Sequence, residues 1–228
     1  MEKGILPVGF TVTGHTGCFA KDGTKTKDNS LESVAAAVEC GADIVEIDVR
    51  FLSDGTPVLS HDAVSDSDAD SVVKLDAAFA ALAQHPQLRM NVDLKSVDFV
   101  GNVKTVAEQY GVLDRIFFTG VDRAWAVTVA KADTGIPYYL NIGVNRILAN
   151  HAQYINRLIA LCKELGCVGL NINKTGATKK LSRLLHENGL LLSVWTCTQE
   201  NEIRRALQCS PDNITSRDPA LVVKILSE

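Results

Sequence analysis

The chain has 228 residues, 46% hydrophobic and 22% charged, with 23 basic residues against 27 acidic ones for a net charge of −4. That length suits a single domain spanning residues 1–228, and the composition is that of an ordinary soluble globular protein. The acidic balance argues against nucleic acid as a partner, and no apolar run approaches the roughly 20 residues of a membrane span. The N-terminal MEKGILPVGF has no long apolar core and leads straight into a strand, and the six cysteines lack CxxC spacing. Free thiols in a reducing cytoplasm are therefore expected.

Taken in order, strand-like runs fall at Val8–Gly14, Asp43–Arg50, Arg89–Lys95, Arg115–Thr119, Ile136–Ile142, Cys167–Ile172, Leu190–Trp195 and Asn213–Thr215. Helical patterns lie between and after them, at Ser30–Cys40, Ser71–Gln84, Val97–Gln109, Asp122–Asp133, Ala152–Leu165, Thr178–Glu187, Glu200–Gln208 and Ala220–Leu226. Strict alternation of eight strands and eight helices calls for a parallel sheet, and eight units in this length predict a closed (β/α)8 TIM barrel. An open doubly wound sheet is the alternative, but no G-x-G-x-x-G follows the first strand. Asn29 is expected to cap the first helix with Glu32 as its capping-box partner, Leu31, Val34 and Val38 to form its buried stripe, and Gly41 to end it.

The second strand carries the anomaly. Residues two apart on a strand share a face, so Ile44, Glu46 and Asp48 point one way and Val45, Ile47 and Val49 the other. The β-branched set suits packing beneath helices, which turns the two acids into the barrel near the strand's C-terminal end, where barrel enzymes keep their chemistry. Two close carboxylates repel unless a positive group lies between them. Either a Lys or Arg counter-ion or a hard cation such as Mg²⁺ or Ca²⁺ answers that need. The Asp54-Gly55 pair predicts a two-residue hairpin loop. Pairing Ser53 with Thr56 then sets His61 opposite Asp48, on the same face as the acids.

These residues are similar to the glycerophosphodiester phosphodiesterase family, whose hallmarks are H-R-G after the first strand, N-T-L-E-A on the first helix, G-A-D-x-x-E-x-D-V on the second strand and D-G-x-x-V-x-H-D after it. Here they read His15-Thr16-Gly17, Asn29-Ser30-Leu31-Glu32-Ser33, Gly41-Ala42-Asp43 through Glu46-Ile47-Asp48-Val49, and Asp54-Gly55 through His61-Asp62. Fainter echoes follow in Asp93-Leu94-Lys95, Trp195-Thr196 and Asn213–Pro219. The resemblance implies a metal-dependent phosphodiester hydrolase releasing glycerol 3-phosphate and an alcohol. It makes His15 and His61 the acid and base, and Glu46, Asp48 and Asp93 the ligands of a divalent ion, Mg²⁺ or Ca²⁺. Lys95, on the same inner face as Asp93, would meet a phosphate oxygen, and Trp195 would pack on a glycerol or headgroup moiety of a small-molecule glycerophosphodiester.

The chain departs from that pattern in three places. Thr16 stands where the family has an arginine, and a threonine offers no charged fork for phosphate; Lys21, Lys25 and Lys27 in the following loop are the candidate substitutes. Asp93 replaces a glutamate. Only 31 residues lie between His61 and Asp93, too few for the small insertion the family usually carries there. The alternative reading is accordingly a weak or inactive relative that binds a phosphorylated ligand. Asn91, Asn171 and Asn173 share inner faces and are further candidates for substrate contact. Cys197 has no visible partner as a nucleophile, and His85, His151 and His186 fall in exposed contexts.

Overall fold

A computed structural model describes residues 9–228. Among the described residues ten strands occur in chain order: β1 (Thr11–Gly14), β2 (Ile44–Phe51), β3 (Pro57–Leu59), β4 (Val73–Lys74), β5 (Arg89–Leu94), β6 (Ile116–Val121), β7 (Tyr138–Asn141), β8 (Gly169–Asn173), β9 (Leu191–Trp195) and β10 (Asn213–Ser216). The helices are α1 (Leu31–Glu39), α2 (Leu75–Ala83), α3 (Gly101–Gln109), α4 (Arg123–Lys131), α5 (Ala152–Leu165), α6 (Lys179–His186), α7 (Glu200–Leu207) and α8 (Pro219–Leu226). Pairing runs parallel from β2 through β5, β6, β7, β8, β9 and β10 to β1, and β1 pairs with β2 to close the ring. The predicted eight-stranded parallel barrel is what forms. The start of the predicted first strand, at Val8, lies outside the described residues.

Two interiors result from the period-two pattern. Val45, Ile47 and Val49 face outward into the large core shared with helix residues such as Val34, Ala37, Phe79 and Leu82. Inside the barrel, Ile44, Phe117 and Tyr139 make a separate apolar plug, the two rings meeting edge to face at 5.7 Å. Above the plug the inward positions turn polar: Glu46, Asn91, Thr119, Asn171 and Ser193 are all buried. The apolar storey seals the N-terminal side, and the polar storey opens toward the C-terminal face, where barrel sites lie.

Three local expectations need correction. The N-cap of α1 is Ser30, whose hydroxyl accepts from the Ser33 amide, so Asn29 and Glu32 do not form the predicted capping box. Ser71–Lys74 is not helical: Val73 and Lys74 pair antiparallel with Leu59 and Val58, and α2 begins at Leu75. The connection from His61 to β5 is thus a short turn, a two-residue strand and one helix, with no small domain over the barrel.

The third correction concerns the hairpin. Val49 pairs with Leu59, Arg50 with Val58 and Phe51 with Pro57. Leu52 and Thr56 close a three-residue loop in which Gly55 takes φ 84° and Asp54 accepts from the Thr56 amide. Asp-Gly here builds a turn with glycine in the left-handed position, the usual three-residue form, and not the two-residue loop. The register therefore moves by one: Asp48 faces Ser60, whose amide donates to the Asp48 carbonyl at 3.1 Å. His61 lies one residue further, past the end of β3.

Candidate active site

A cavity of about 550 Å³ opens at the C-terminal face and is lined by His15, Glu46, Asp48, His61, Asp93, Lys95 and Trp195, along with Arg50, Trp125, Asn141, Asn171 and Arg217. Its size is that of a small-molecule site. The two histidines, three acids, Lys95 and Trp195 all reach this one cavity by different routes, as do Asn91 and Asn171, whereas Asn173 is exposed and does not line it. Trp195 closes one side at the end of β9, with its indole nitrogen buried and without a partner among the described residues; the same holds for Asn171 Oδ1 on β8.

Glu46, Asp48 and Asp93 each bring a carboxylate oxygen within 4.8 Å of the others. The β2–β5 register sets Asp48 directly beside Asp93 and Glu46 beside Asn91. Each acid is held from behind. Glu46 Oε2 accepts from the Thr16 amide at 2.8 Å, Asp48 Oδ2 from Asn29 Nδ2 at 2.8 Å, and Asp93 Oδ1 from the Thr119 hydroxyl at 2.8 Å. Such outer partners orient ligands and are half of a metal site's construction. Asp93 needs a special approach: Gly120 sits at φ 75°, and a Cβ there would lie 2.2 Å from the Leu94 carbonyl oxygen and 2.8 Å from Asp93 Oδ1. Only glycine lets β6 pass so close to the third acid.

Lys95 Nζ bridges Asp48 Oδ1 at 3.0 Å and Asp93 Oδ2 at 2.5 Å. Burial by itself would lower the lysine's pKa, but Asp93 and Asp48 outweigh it and the net shift is upward, so the ammonium stays charged. Glu46 is pushed well above the usual carboxylate range, first by burial and then by the charges of Asp48 and Asp93. With all three carboxylates ionised, one ammonium would leave two negative charges uncompensated, which is why Glu46 is held toward its neutral form without a cation. The donor set is entirely oxygen, so a hard divalent cation fits both the charge and the chemistry, as Mg²⁺ and Ca²⁺ do.

His15 extends β1 across the barrel seam, its amide bonded to the Ser216 carbonyl. Its Nδ1 donates to the Thr16 carbonyl at 2.7 Å and lies 3.7 Å from Glu46. A carbonyl can only accept, so the proton is on Nδ1 and Nε2 keeps its lone pair. Burial lowers the pKa of the ring, and the nearby Arg217 charge lowers it further, against the opposing pull of the Thr16 carbonyl. His61 has a different environment on the rim: its side chain is 69% exposed, with Nδ1 3.0 Å from Asp62 Oδ1, and Arg50 Nε donates to its carbonyl.

Thr16 is 1% exposed at the edge of the cavity, and its hydroxyl is taken up by the Asn29 amide, which it accepts. Lys21, Lys25 and Lys27 are exposed and do not line the cavity, and Lys25 pairs with Asp28 at 3.4 Å. Cys197 is buried with its thiol pushed up to about 12 by burial, which rules it out as a nucleophile near neutral pH. All six cysteines are free and buried. His186 pairs with Asp212 at 2.8 Å, away from the cavity.

Sequence reasoning missed three residues here. Asn29, at φ 55°, grips Asp48 twice: Nδ2 donates to its carboxylate, and Oδ1 accepts its amide at 2.9 Å. Thr119 orients Asp93. Arg217, in the turn after β10, reaches the Thr16 carbonyl at 3.2 Å. The signal for Arg217 was its place just past a strand's C-terminal end, where barrels expose functional groups.

Residues 15–91 match the model of the Glycerophosphoryl diester phosphodiesterase family. Among solved structures, a protein of Galdieria sulphuraria is similar with a TM-score of 0.78 and 18% identity over 100% of both chains. The glycerophosphodiester phosphodiesterase of Thermotoga maritima gives 0.72 and 18% over 96% of this chain and 100% of that one. An Oleispira antarctica phosphodiesterase, solved in complex with the product sn-glycerol-3-phosphate, gives 0.72 and 16% over 96% and 98%. At such identities the structural likeness establishes the fold. No curated protein matches the chain, and no helix among the described residues is long and apolar enough to cross a membrane.

Proposed function

We propose that this chain, glycerophosphodiester phosphodiesterase-like in its matched segment and in its barrel, hydrolyses a glycerophosphodiester to glycerol 3-phosphate and an alcohol. The observation that carries the reading is the convergence on one cavity of two histidines, three carboxylates held from behind, and a lysine. Diester cleavage needs charge neutralised on the phosphoryl oxygens, a base for the attacking hydroxyl and an acid for the departing alkoxide. His15, with Nδ1 held by the Thr16 carbonyl and the ring kept neutral by burial, takes the proton at Nε2. His61, exposed on the open rim beside Asp62, supplies a proton to the leaving alkoxide. Lys95 faces the phosphoryl group from the cavity lining, and Trp195 offers a flat apolar wall to the organic part. Glu46, Asp48 and Asp93 would hold a divalent ion, which when bound supplies Lewis-acid stabilisation of phosphoryl charge.

The second reading is a relative that binds a phosphorylated ligand without turning it over. The Lys95 bridge between Asp48 and Asp93 favours it, because the ammonium already occupies the space between two of the three acids. Purified protein incubated with glycerophosphocholine and with an aryl phosphodiester, in Mg²⁺, Ca²⁺ or EDTA, separates the two. Turnover that EDTA abolishes, and that falls by about 100-fold or more in His15→Ala and His61→Ala, is expected from the loss of acid–base catalysis. Absence of metal-dependent turnover, or a His61→Ala variant equal to wild type, sinks the hydrolase reading.

A further inference from the structure

We propose that Arg217 is the phosphate clamp of this site, holding the anionic phosphoryl group at the mouth beside His15; the role of that phosphoryl group rests on the phosphodiesterase reading above. A diester anion entering this cavity meets more carboxylates than cations, so some cation must still be available to it. Lys95 spends two of its three N–H donors on Asp48 and Asp93. Arg50, on the β2 side, donates Nε to the His61 carbonyl and so serves the His61 side of the mouth. Arg217 is differently placed. One N–H of Nη1 donates to the Thr16 carbonyl at 3.2 Å, and Asp28 Oδ1 lies 3.7 Å off, beyond a hydrogen bond. A guanidinium carries five N–H groups, and the other four have no hydrogen-bond partner among the described residues.

The geometry around it is set by backbone and not by side-chain chance. The Phe19 amide donates to the Arg217 carbonyl at 2.7 Å, the His15 amide to the Ser216 carbonyl at 2.8 Å, and the Asp218 amide to the Ser216 hydroxyl at 2.9 Å. The turn is thereby locked to the strand that carries His15, and the guanidinium is steadied at its foot by residue 16 itself. The side chain is 31% exposed, so part of the fork remains open to the cavity. A planar fork of this kind matches phosphate oxygens two at a time, which an ammonium cannot do. Position 16 still supplies the clamp's location in this chain, through a carbonyl that anchors an arginine from the other side of the barrel seam.

The test is binding of inorganic phosphate and of sn-glycerol 3-phosphate by calorimetry in Mg²⁺, for wild type, Arg217→Gln and Arg217→Lys, alongside KM and kcat on glycerophosphocholine. Loss of a charge-assisted pair predicts about 10- to 100-fold weaker binding of both anions in Arg217→Gln, with circular dichroism and thermal midpoint unchanged. Arg217→Lys should fall between, and added guanidinium should restore part of the loss in Arg217→Gln. A wild type that binds phosphate through Arg217 but does not hydrolyse supports the clamp and removes the hydrolase reading. A wild type that hydrolyses, with Arg217→Gln matching its KM and phosphate affinity, overturns the clamp and leaves that reading standing. Should Arg217→Gln not fold, Arg217→Lys decides: phosphate affinity equal to wild type overturns the fork.

Discussion

Replacing Asn29 tests whether one side chain sets the aim of the acidic cluster. Asn29 gives Asp48 a charge-assisted hydrogen bond through Nδ2 and satisfies its backbone amide through Oδ1. Hydrogen bonds to charged groups contribute about 1.5–3 kcal/mol, and a buried amide left without an acceptor costs about 1–3 kcal/mol. Water entering from the adjoining cavity recovers part of both, so Asn29→Gly is expected to lose about 2–4 kcal/mol. Glycine accepts the backbone at φ 55° freely, whereas alanine adds roughly 1 kcal/mol of left-handed strain. The ordering wild type, Asn29→Gly, Asn29→Ala is therefore expected in urea denaturation at pH 7 with EDTA present. The gap between the two variants measures the strain, and the gap between wild type and glycine measures the clamp. An Asn29→Gly protein within about 0.5 kcal/mol of wild type, the usual scatter of inert surface changes, would refute the idea that Asn29 holds Asp48.

Two further outcomes follow from the same geometry. Gly120→Ala must both adopt φ 75° and push a methyl into the Leu94 carbonyl 2.2 Å away, so a loss above about 3 kcal/mol or no soluble protein is expected; near-native stability in denaturant melts would contradict the close approach of β6 to Asp93. Glu202 is pulled down to about 2 by its bond to Lys174 Nζ at 2.7 Å and by the Thr198 and Gln199 amides. Its folded pKa lies below its unfolded one, so the stabilisation is present above about pH 4.5 and fades as pH falls toward 2. With the side chain part-exposed, Glu202→Gln should cost about 1–2 kcal/mol at pH 7 and progressively less below pH 4; a penalty that stays constant between pH 7 and pH 3 in urea titrations counts against that linkage.

What could be read from the chain follows from how each feature is encoded. Glu46 and Asp48 announced themselves because period-two alternation in Ile44–Val49 is a local property, and the alternation of strands and helices forces a parallel barrel whatever the loops do. The position of His61 was less legible. Asp54-Gly55 serves both two- and three-residue loops, and one residue of difference moves Asp48 from His61 to Ser60. Asn29 and Ser30 are both good caps, and only the approach of β2 shows that Ser30 does the capping and Asn29 the clamping. Val73 and Lys74 were drawn into a helix because a two-residue strand has no period to detect.

Short-range periodicity and motif spacing in the chain encode the barrel, the inward-facing acids and most of the chemistry at its mouth, but not Arg217. Only the tertiary structure decided how those residues are aimed. Closure of β10 onto β1 brings Arg217 to Thr16 across 201 positions of chain, and the lateral register of β2, β5 and β6 sets Lys95 between Asp48 and Asp93 with Thr119 behind. Contacts of that kind arise when separate elements are packed at fixed offsets, and no local pattern in the chain records the offset.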